Sequence, residues 1–570
     1  MKNTRGSFKR YAKQTGLVLV IVMMPFYSAM VSAQVLPLDS LQRRFVDLRF
    51  GMFIHFNMNT YVSGWANART NPLNFNPTNL NCAQWAAAAK AAKMTYGVLT
   101  CKHHDGFTIW PCKQTPLVSP AYTIAQSSQP NLDVVKSYTD AFRAAGLLPG
   151  LYMSIFDVAQ GIPTGTTPLW TAAQRAYTLG QITELLTNYG QIPIFWFDGY
   201  AWGKGHWSVP WQEIRDTIKR LQPNCVIVET NGMTNQHWES DISFVEEDGT
   251  LWLPAGNTLA AVQASSISGD WFWNTTATSG STLKSVADIV TNHLDKLNPL
   301  WCNYQLNCPP NRQGMLDTAI VNRLIAVGAA WSPNLSRVPL PKQPTEIQQP
   351  FTPASANATS GTAFNAIDGF NDRNSLGTYQ SLWQSTGNLP QSVTLDLGNT
   401  YSTLNALFYL PRRDGSTAGN ITGYQISISS DGTNFTVVTS GTWANDAWVK
   451  RVFFPNQVCR YVRLTATAVS SGTSAVICDL SVGDTAPIPP AVAVKEEPIA
   501  KRTFQIPGMS VTTAIGNYTF GPALSGKLKS VSVYNLGGKL LGNKTTHKNS
   551  IDLSKDFGIS GNVYVIKIKL

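Results

Sequence analysis

The chain is poor in charge. Only 14% of its 570 residues are Asp, Glu, Lys or Arg, while 43% are hydrophobic, which excludes a disordered polypeptide and leaves apolar mass for two to four domains. No glycine-rich phosphate loop follows the first strand-like run, which argues against a nucleotide-binding doubly wound sheet. The eight cysteines include no CxxC pair, and no HExxH or DxD element stands near the candidate carboxylates, so metal chemistry is the weakest reading of them. Free buried thiols and disulfides are both open for the cysteines, with Cys101–Cys112, Cys302–Cys308 and Cys459–Cys478 the nearest pairs in sequence.

What is present begins with a leader. Lys2, Arg5, Lys9, Arg10 and Lys13 precede an apolar run from Leu17 to Phe26, and Val31-Ser32-Ala33 follows, the layout of a secretory signal peptide over residues 1–33. The run is short for crossing a bilayer, which makes a signal anchor the alternative. Net charge of +11 invites a nucleic-acid reading, but its distribution opposes it: five positive charges lie in the leader and a surplus of seven lies after residue 494. The main body is nearly neutral, and no nucleic-acid partner is expected.

From residue 34 to 338, strand-like runs such as FGMFIHF, YGVLTCK and IPIFWFDG alternate with segments of helical spacing such as LDVVKSYTDAFRAAG. That alternation and length predict an α/β fold, a (β/α)8-like barrel. Residues 339–353, PLPKQPTEIQQPFTP, read as a linker. Residues 354–484 lose helical periodicity and alternate as an antiparallel β-sandwich does. A second proline-rich linker, 485–502, leads to a small β domain over 503–570.

The polar groups that end apolar runs carry the chemistry. His55 ends FGMFIHF, His103 and His104 end YGVLTCK, and Asp198 ends IPIFWFD, where barrel folds place their sites. With Tyr152, Trp196 and Trp271, these residues offer hydrogen-bond partners for hydroxyls and flat faces for a sugar ring. Glycoside hydrolysis needs two carboxyls, for which Asp198 is the first candidate and either a nucleophile or a structural acceptor. Glu246 and Glu247 end another run, ISFVEE, and only one of two successive strand residues faces a site. Glu246 is the choice for proton donor, with Glu247, Glu239 and Glu229 as competitors.

Together FGMFIHF, QWAAAAKAAKMTYGVLTCKHHDGFTIW, GLYMSIFD, FWFDG and YQLNCPPNRQGMLD resemble glycoside hydrolase family 29, the retaining α-L-fucosidases. The resemblance implies Asp198 as nucleophile, His55, His103 and His104 on the fucose hydroxyls, Tyr152 and Trp196 lining the pocket, and Trp271 on the sugar's methyl side. It implies an exo-acting enzyme on fucosylated oligosaccharides or glycoconjugates with no catalytic cofactor. A segment like DISFVEE carries the acid/base in relatives, which favours Glu246, while the glutamate many members have near Ala261 to Gln263 is missing here. The rival readings are a catalytically inactive glycan-binding barrel and an α-L-galactosidase. AFNAIDGFNDRN, VTLDLG, GYQISISSDGTNF and CRYVRLTA resemble a discoidin-type (factor 5/8 C-type) carbohydrate-binding module, which implies a structural calcium on Asp368, Asn371, Asp372 and Asp479, with an ordinary Asp-Gly turn as the alternative. The final segment is similar to the sorting domain of the bacterial type IX secretion system, which implies that machinery as a partner and a secreted or cell-surface location; a plain terminal β domain is the alternative.

Overall fold

A computed structural model describes residues 35–62, 69–162, 170–199, 209–230, 240–246, 253, 256–275, 282–367, 382–412, 416–446 and 448–486. In the C-terminal part it describes 504–506, 509–514, 517–519, 529–534, 540–548, 550–552, 555–556 and 564–569. The chain divides into a large unit, Met1–Ile488, and a small one, Pro489–Leu570.

The large unit opens with helix α1 (Leu38–Val46) and an eight-stranded parallel barrel: β1 (Phe50–Ile54), β2 (Tyr96–Lys102), β3 (Leu148–Ser154), β4 (Ile194–Asp198), β5 (Val226–Glu229), β6 (Ser243–Glu246), β7 (Ala261–Ser266) and β8 (Cys302–Asn307). β1, β2 and β4 are apolar along most of their length because a barrel strand is covered on both faces. Helices α2 (Cys82–Ala91), α3 (Val134–Ala144), α4 (Ala172–Asn188), α5 (Trp211–Leu221), the short α6 (Asp295–Leu297) and α7 (Thr318–Ala330) lie between or after them. Each of α2, α3 and α4 starts where the sequence supplies an acceptor for its first free amides: Asn81 takes the Gln84 N–H, Asp133 the Lys136 N–H and Thr171 the Gln174 N–H.

Alternation along the strands sorts side chains into two cores. Phe53, Tyr152, Trp196, Val228, Phe244 and Val262 fill the barrel interior, while Phe195, Phe197, Ile227 and Leu151 face the helices. Strands β5 and β6 have no continuous ladder, and Asp241 closes the gap: its N–H donates to the Ile227 carbonyl at 2.8 Å and its Oδ2 accepts the Ile227 N–H at 2.9 Å. Burial alone would push its carboxyl up, but Arg215 at 2.6 Å and Lys219 at 2.7 Å outweigh it and hold the pKa near about 2.

The sandwich that follows is built on β9 (Gln349–Pro350), β10 (Ser355–Ala358), β12 (Gln391–Leu410), β13 (Ile421–Ser429), β14 (Thr436–Thr442), β15 (Lys450–Val469) and β17 (Asp479–Asp484), in the antiparallel order β14-β13-β15-β12-β17-β9 with β10 beside β12. A two-stranded pair, β11 (Trp383–Gln384) with β16 (Val476–Ile477), lies apart from this sheet. The segment expected as a linker is instead a packed strap. Gln343 accepts the Ala260 N–H at 2.9 Å and donates to the Thr258 carbonyl, Ile347 is wholly buried, and Gln349 and Pro350 pair with β17. Ile347, Ala406 and Phe408 belong to the same apolar cluster as the barrel's outer core, so barrel and sandwich share buried surface. Arg451 reinforces the junction through an ion pair with buried Glu346.

Within the small unit, β18 (Phe504–Ile506), β19 (Met509–Ala514), β21 (Lys529–Tyr534), β22 (Leu540–Thr546) and β24 (Tyr564–Lys569) form an antiparallel sheet, and β20 (Asn517–Thr519) pairs with β23 (Ser550–Asp552). All eight cysteines are free thiols, seven of them buried, and none of the three neighbouring pairs is bridged.

Candidate active site

Strands β1 to β4, with β6 and the segment after β7, deliver the expected side chains to one end of the barrel. Tyr152, on β3, pairs in register with Trp196 on β4, so Asp198 emerges one layer above the indole on the interior side. The Tyr152 hydroxyl donates to Asp198 Oδ2 at 2.6 Å, and the Gly199 N–H donates to Oδ1 at 2.5 Å. Burial first, then the charges of Asp198 and Glu246, pushes the Tyr152 phenol far up, so it stays a proton donor. His104 Nε2 lies 3.8 Å from Asp198 Oδ2, and its Nδ1 lies 2.7 Å from Ser154 Oγ, whose own proton goes to the Phe156 carbonyl. The serine therefore accepts from His104 Nδ1–H, which fixes the neutral ring with its Nε2 lone pair toward the carboxylate side.

His55 is oriented by the same logic. Its Nδ1 lies 2.9 Å from Asn307 Oδ1, an oxygen that also accepts the His55 N–H, while Asn307 Nδ2 donates to the Trp271 carbonyl at 2.7 Å. The proton is thus on Nδ1, and Nε2 is left as an acceptor suited to a hydroxyl proton. Burial lowers the His55 pKa to about 4, against small opposing effects of Asn307 and Asp198, and burial with the neighbouring imidazoles lowers His103 far below its ordinary value. Neutral imidazoles, not cations, form the cup. Asn59 Nδ2 donates to His103 Nδ1 at 3.3 Å.

Aromatic rings complete it. Trp271 lies 5.0 Å from the His55 ring, and Phe272 stands edge-on to His55 at 5.2 Å and to His103 at 4.9 Å. Trp196 is wholly buried, with its indole N–H on Thr230 Oγ1 at 2.7 Å; it packs against Phe53 and Phe244 and floors the site.

The phase of β6 separates the two adjacent glutamates. Phe244 points into the barrel against Trp196, so Glu246, two residues on, emerges on that same face. Glu246 is half-buried and its charge is felt at the Tyr152 hydroxyl. Glu247 and Glu239 lie outside the described residues. Glu229 ends β5, where alternation after inward Val228 sends it to the helix side, and it is wholly buried. Burial first, and Asp198 second, pushes its carboxyl far up. A proton donor must touch the glycosidic oxygen, which Glu229 is poorly placed to do.

Two glycines permit this geometry. Gly199 has φ +73°, and a Cβ there would meet Ser154 Oγ at 3.1 Å and His104 Nδ1 at 3.4 Å. Gly106, closing the His103–Gly106 turn at φ +90°, would bring a Cβ to 2.0 Å from Asp157 Oδ1. Beneath that turn, Lys102 and Asp157 form a wholly buried ion pair at 3.0 Å.

Among the described residues, His103, His104 and Asp198 are the one grouping that could hold a metal, their ligand atoms lying within 4.8 Å of one another. Tetrahedral donors around zinc sit about 3.4 Å apart, whereas donors around a hydrogen-bonded hydroxyl sit about 4.6 Å apart. The His104–Asp198 separation of 3.8 Å lies between the two spacings and favours neither, while the Tyr152 hydroxyl already donates to Asp198 Oδ2. For the expected calcium site, Asp368, Asn371 and Asp372 lie outside the described residues; Asp479 is buried, with Oδ1 on the Leu480 N–H at 2.9 Å.

Asn307, Ser154 and Asn59, which orient the three histidines, are not identified by reading the sequence. A polar residue at the end of an apolar strand run was the available signal for Asn307 and Ser154.

Residues 65–334 match the family model described as alpha-L-fucosidase, and residues 351–480 match the F5/8 type C domain. The barrel region is similar to the α-L-fucosidase family. Alpha-L-fucosidase 1 of Arabidopsis thaliana is 31% identical over 317 residues, covering 50% of this chain and 58% of that protein. The chain thus spans little more than half the length of that relative. The alpha-L-fucosidase of Dictyostelium discoideum is 22% identical over 334 residues, covering 50% of this chain and 68% of that one. A crystal structure of a glycoside hydrolase 29 family member from an unknown rumen bacterium is 20% identical, covers 93% of this chain and 95% of its own, and superposes with a TM-score of 0.42. Both proposed carboxylates, His103 and His104 fall within the residues matched to the alpha-L-fucosidase model, while His55, just after β1, precedes them.

Proposed function

We propose that the protein is a retaining exo-α-L-fucosidase that releases terminal fucose from glycans. The observation that carries this reading is the Asp198 carboxylate, held by Tyr152 Oη at 2.6 Å and by the Gly199 N–H, inside a cup of neutral imidazoles with Glu246 on the same barrel face. An Asp198 oxygen attacks the anomeric carbon as the glycosidic C–O bond breaks, and Glu246 gives its proton to the departing oxygen. In the second step Glu246, now a carboxylate, takes a proton from water; the water oxygen bonds the anomeric carbon, fucose leaves and Asp198 is restored. His55 accepts a ring hydroxyl proton at Nε2, His103 and His104 hold neighbouring hydroxyls, and Trp271 covers the methyl side. Trp196 keeps the floor dry from below.

The F5/8 type C domain holds the enzyme near its polymer, and Asp479 is the one described residue of its proposed calcium site. EDTA then lowers the melting temperature of the purified protein and added calcium restores it; an unchanged melting curve removes the ion. The leader and the antiparallel C-terminal sheet support export through the type IX machinery with removal of the tail. Intact-mass analysis of protein recovered from the producing bacterium's medium tests this, and a retained C-terminus would contradict it.

Turnover of aryl fucosides separates the two roles. Glu246→Ala loses rate on fucosides with poor leaving groups far more than on activated aryl fucosides, and azide restores the latter as a fucosyl azide. Equal loss on both, without azide rescue, would move the acid to another residue.

A further inference from the structure

Beside the histidine cup lies a cavity of about 410 Å³ bounded by Asn59, Thr60, Trp271, Phe272, Trp273 and Arg312, with Asp270 and Asn274 on its rim. It adjoins the sugar site directly. Asn59 donates to His103, and Trp271 and Phe272 lie against the His55 ring. An exo-acting enzyme closes around the terminal sugar, so an open space next to that sugar receives what it is attached to.

The chemistry of this space is uneven. Trp273 is fixed by its indole N–H on Asp317 Oδ2 at 2.7 Å, and Arg312 lies over its ring at 5.7 Å. Arg312 Nε donates to the Thr60 carbonyl at 3.0 Å, which locks the plane of the guanidinium. Its two Nη atoms have no hydrogen bond or ion pair among the described residues. The nearby acids are otherwise engaged: Asp317 Oδ1 takes Asn311 Nδ2 at 2.6 Å, and Asp270 takes Asn274 Nδ2. A solvent-exposed arginine with a pinned stem and two free donor edges, set beside an aromatic face, is built to take a planar or tetrahedral anion on a ring.

We infer that this cavity binds the sugar next to the released fucose and that Arg312 selects an anionic substituent on it, a carboxylate or a sulfate ester. The inference rests on the fucosidase reading. It narrows the substrates to fucosylated acidic glycans, those carrying a uronic acid or a sulfated sugar at the leaving group, and Arg312 acts there as a specificity residue without touching the reacting atoms.

The test uses the full-length protein and three matched fucosyl disaccharides in whichever linkage the wild type cleaves: fucosyl galactose, its galacturonic acid counterpart and its sulfate ester. The wild type favours at least one acidic substrate over the neutral one by about tenfold or more in kcat/KM, and the carboxylate and sulfate arms say which. Arg312→Gln brings that ratio close to one, and Arg312→Lys retains part of it, as a charge without the planar fork does. A wild-type ratio near one, or Arg312→Gln lowering all three substrates in parallel, overturns the inference while leaving the fucosidase reading intact. A wild type that hydrolyses no fucoside, the activated aryl fucoside included, removes both.

Discussion

Tyr152 and Asp198 share the bond on which the proposed chemistry turns. The phenol cannot ionise in its buried setting, so it donates throughout the cycle and spreads the carboxylate's charge without neutralising it. Asp198→Asn keeps the shape and removes the proposed nucleophile, and kcat on an aryl fucoside falls about a thousandfold or more. Tyr152→Phe leaves the nucleophile but removes one donor from it, and the expected loss in kcat is roughly ten- to a hundredfold. Asn307 acts differently: it sets the His55 tautomer and touches no reacting atom. In Asn307→Leu the ring is free to turn, and KM for fucosides rises about tenfold with a smaller change in kcat; a pure kcat effect would contradict a positioning role. The carboxylate and the histidines were legible in the sequence because each breaks an apolar run. Their supports were not, because an asparagine or serine at a strand end looks alike whether it caps, orients or faces solvent.

At the scale of elements, strand phase decides which polar groups meet. FVEE offers two glutamates to one strand end, and inward Phe244 selects Glu246. That phase could be guessed only as a choice of one from two, since an all-apolar strand carries no alternation to read. The segments after β1 and β2 set the pH response, through His55 and Asp105. His55 has its folded pKa depressed to about 4 from 6.5, so the unfolded chain binds the extra proton between those values. Stability is complete above pH 6.5 and is lost as pH falls toward 4, by about 3 kcal/mol from this ring alone. Asp105 runs the other way: burial, with Asp157 adding to it, raises its carboxyl to about 7 from 3.8. Its contribution is full below 3.8 and lost as pH rises through 7. Thermal melts across pH 4 to 8 therefore show Asp105→Asn gaining relative to the wild type toward pH 8 and losing that advantage toward pH 4. A pH-independent offset between the two would show that Asp105 does not titrate in this range.

Across the large unit, barrel and sandwich are joined more closely than the proline-rich sequence between them implies. Prolines marked residues 339–353 as unable to form a helix, which is correct, but composition does not reveal whether an extended segment hangs free or lies in a groove. Ile347, Ala406 and Phe408 bury themselves with the barrel's outer core, so a chain ending at residue 338 exposes that surface. Such a truncation melts about 5 °C or more below the full protein; equal melting temperatures would mean that the shared apolar cluster contributes nothing to the barrel. The proposed attack comes from one carboxylate at the top of β4, and a covalent trap reports on it. Incubating the protein with 2-deoxy-2-fluoro-fucosyl fluoride and mapping the peptides by mass spectrometry should find the fluorofucosyl ester on Asp198 and nowhere else. An adduct on another residue, or none under conditions where the enzyme turns over aryl fucosides, would contradict the account.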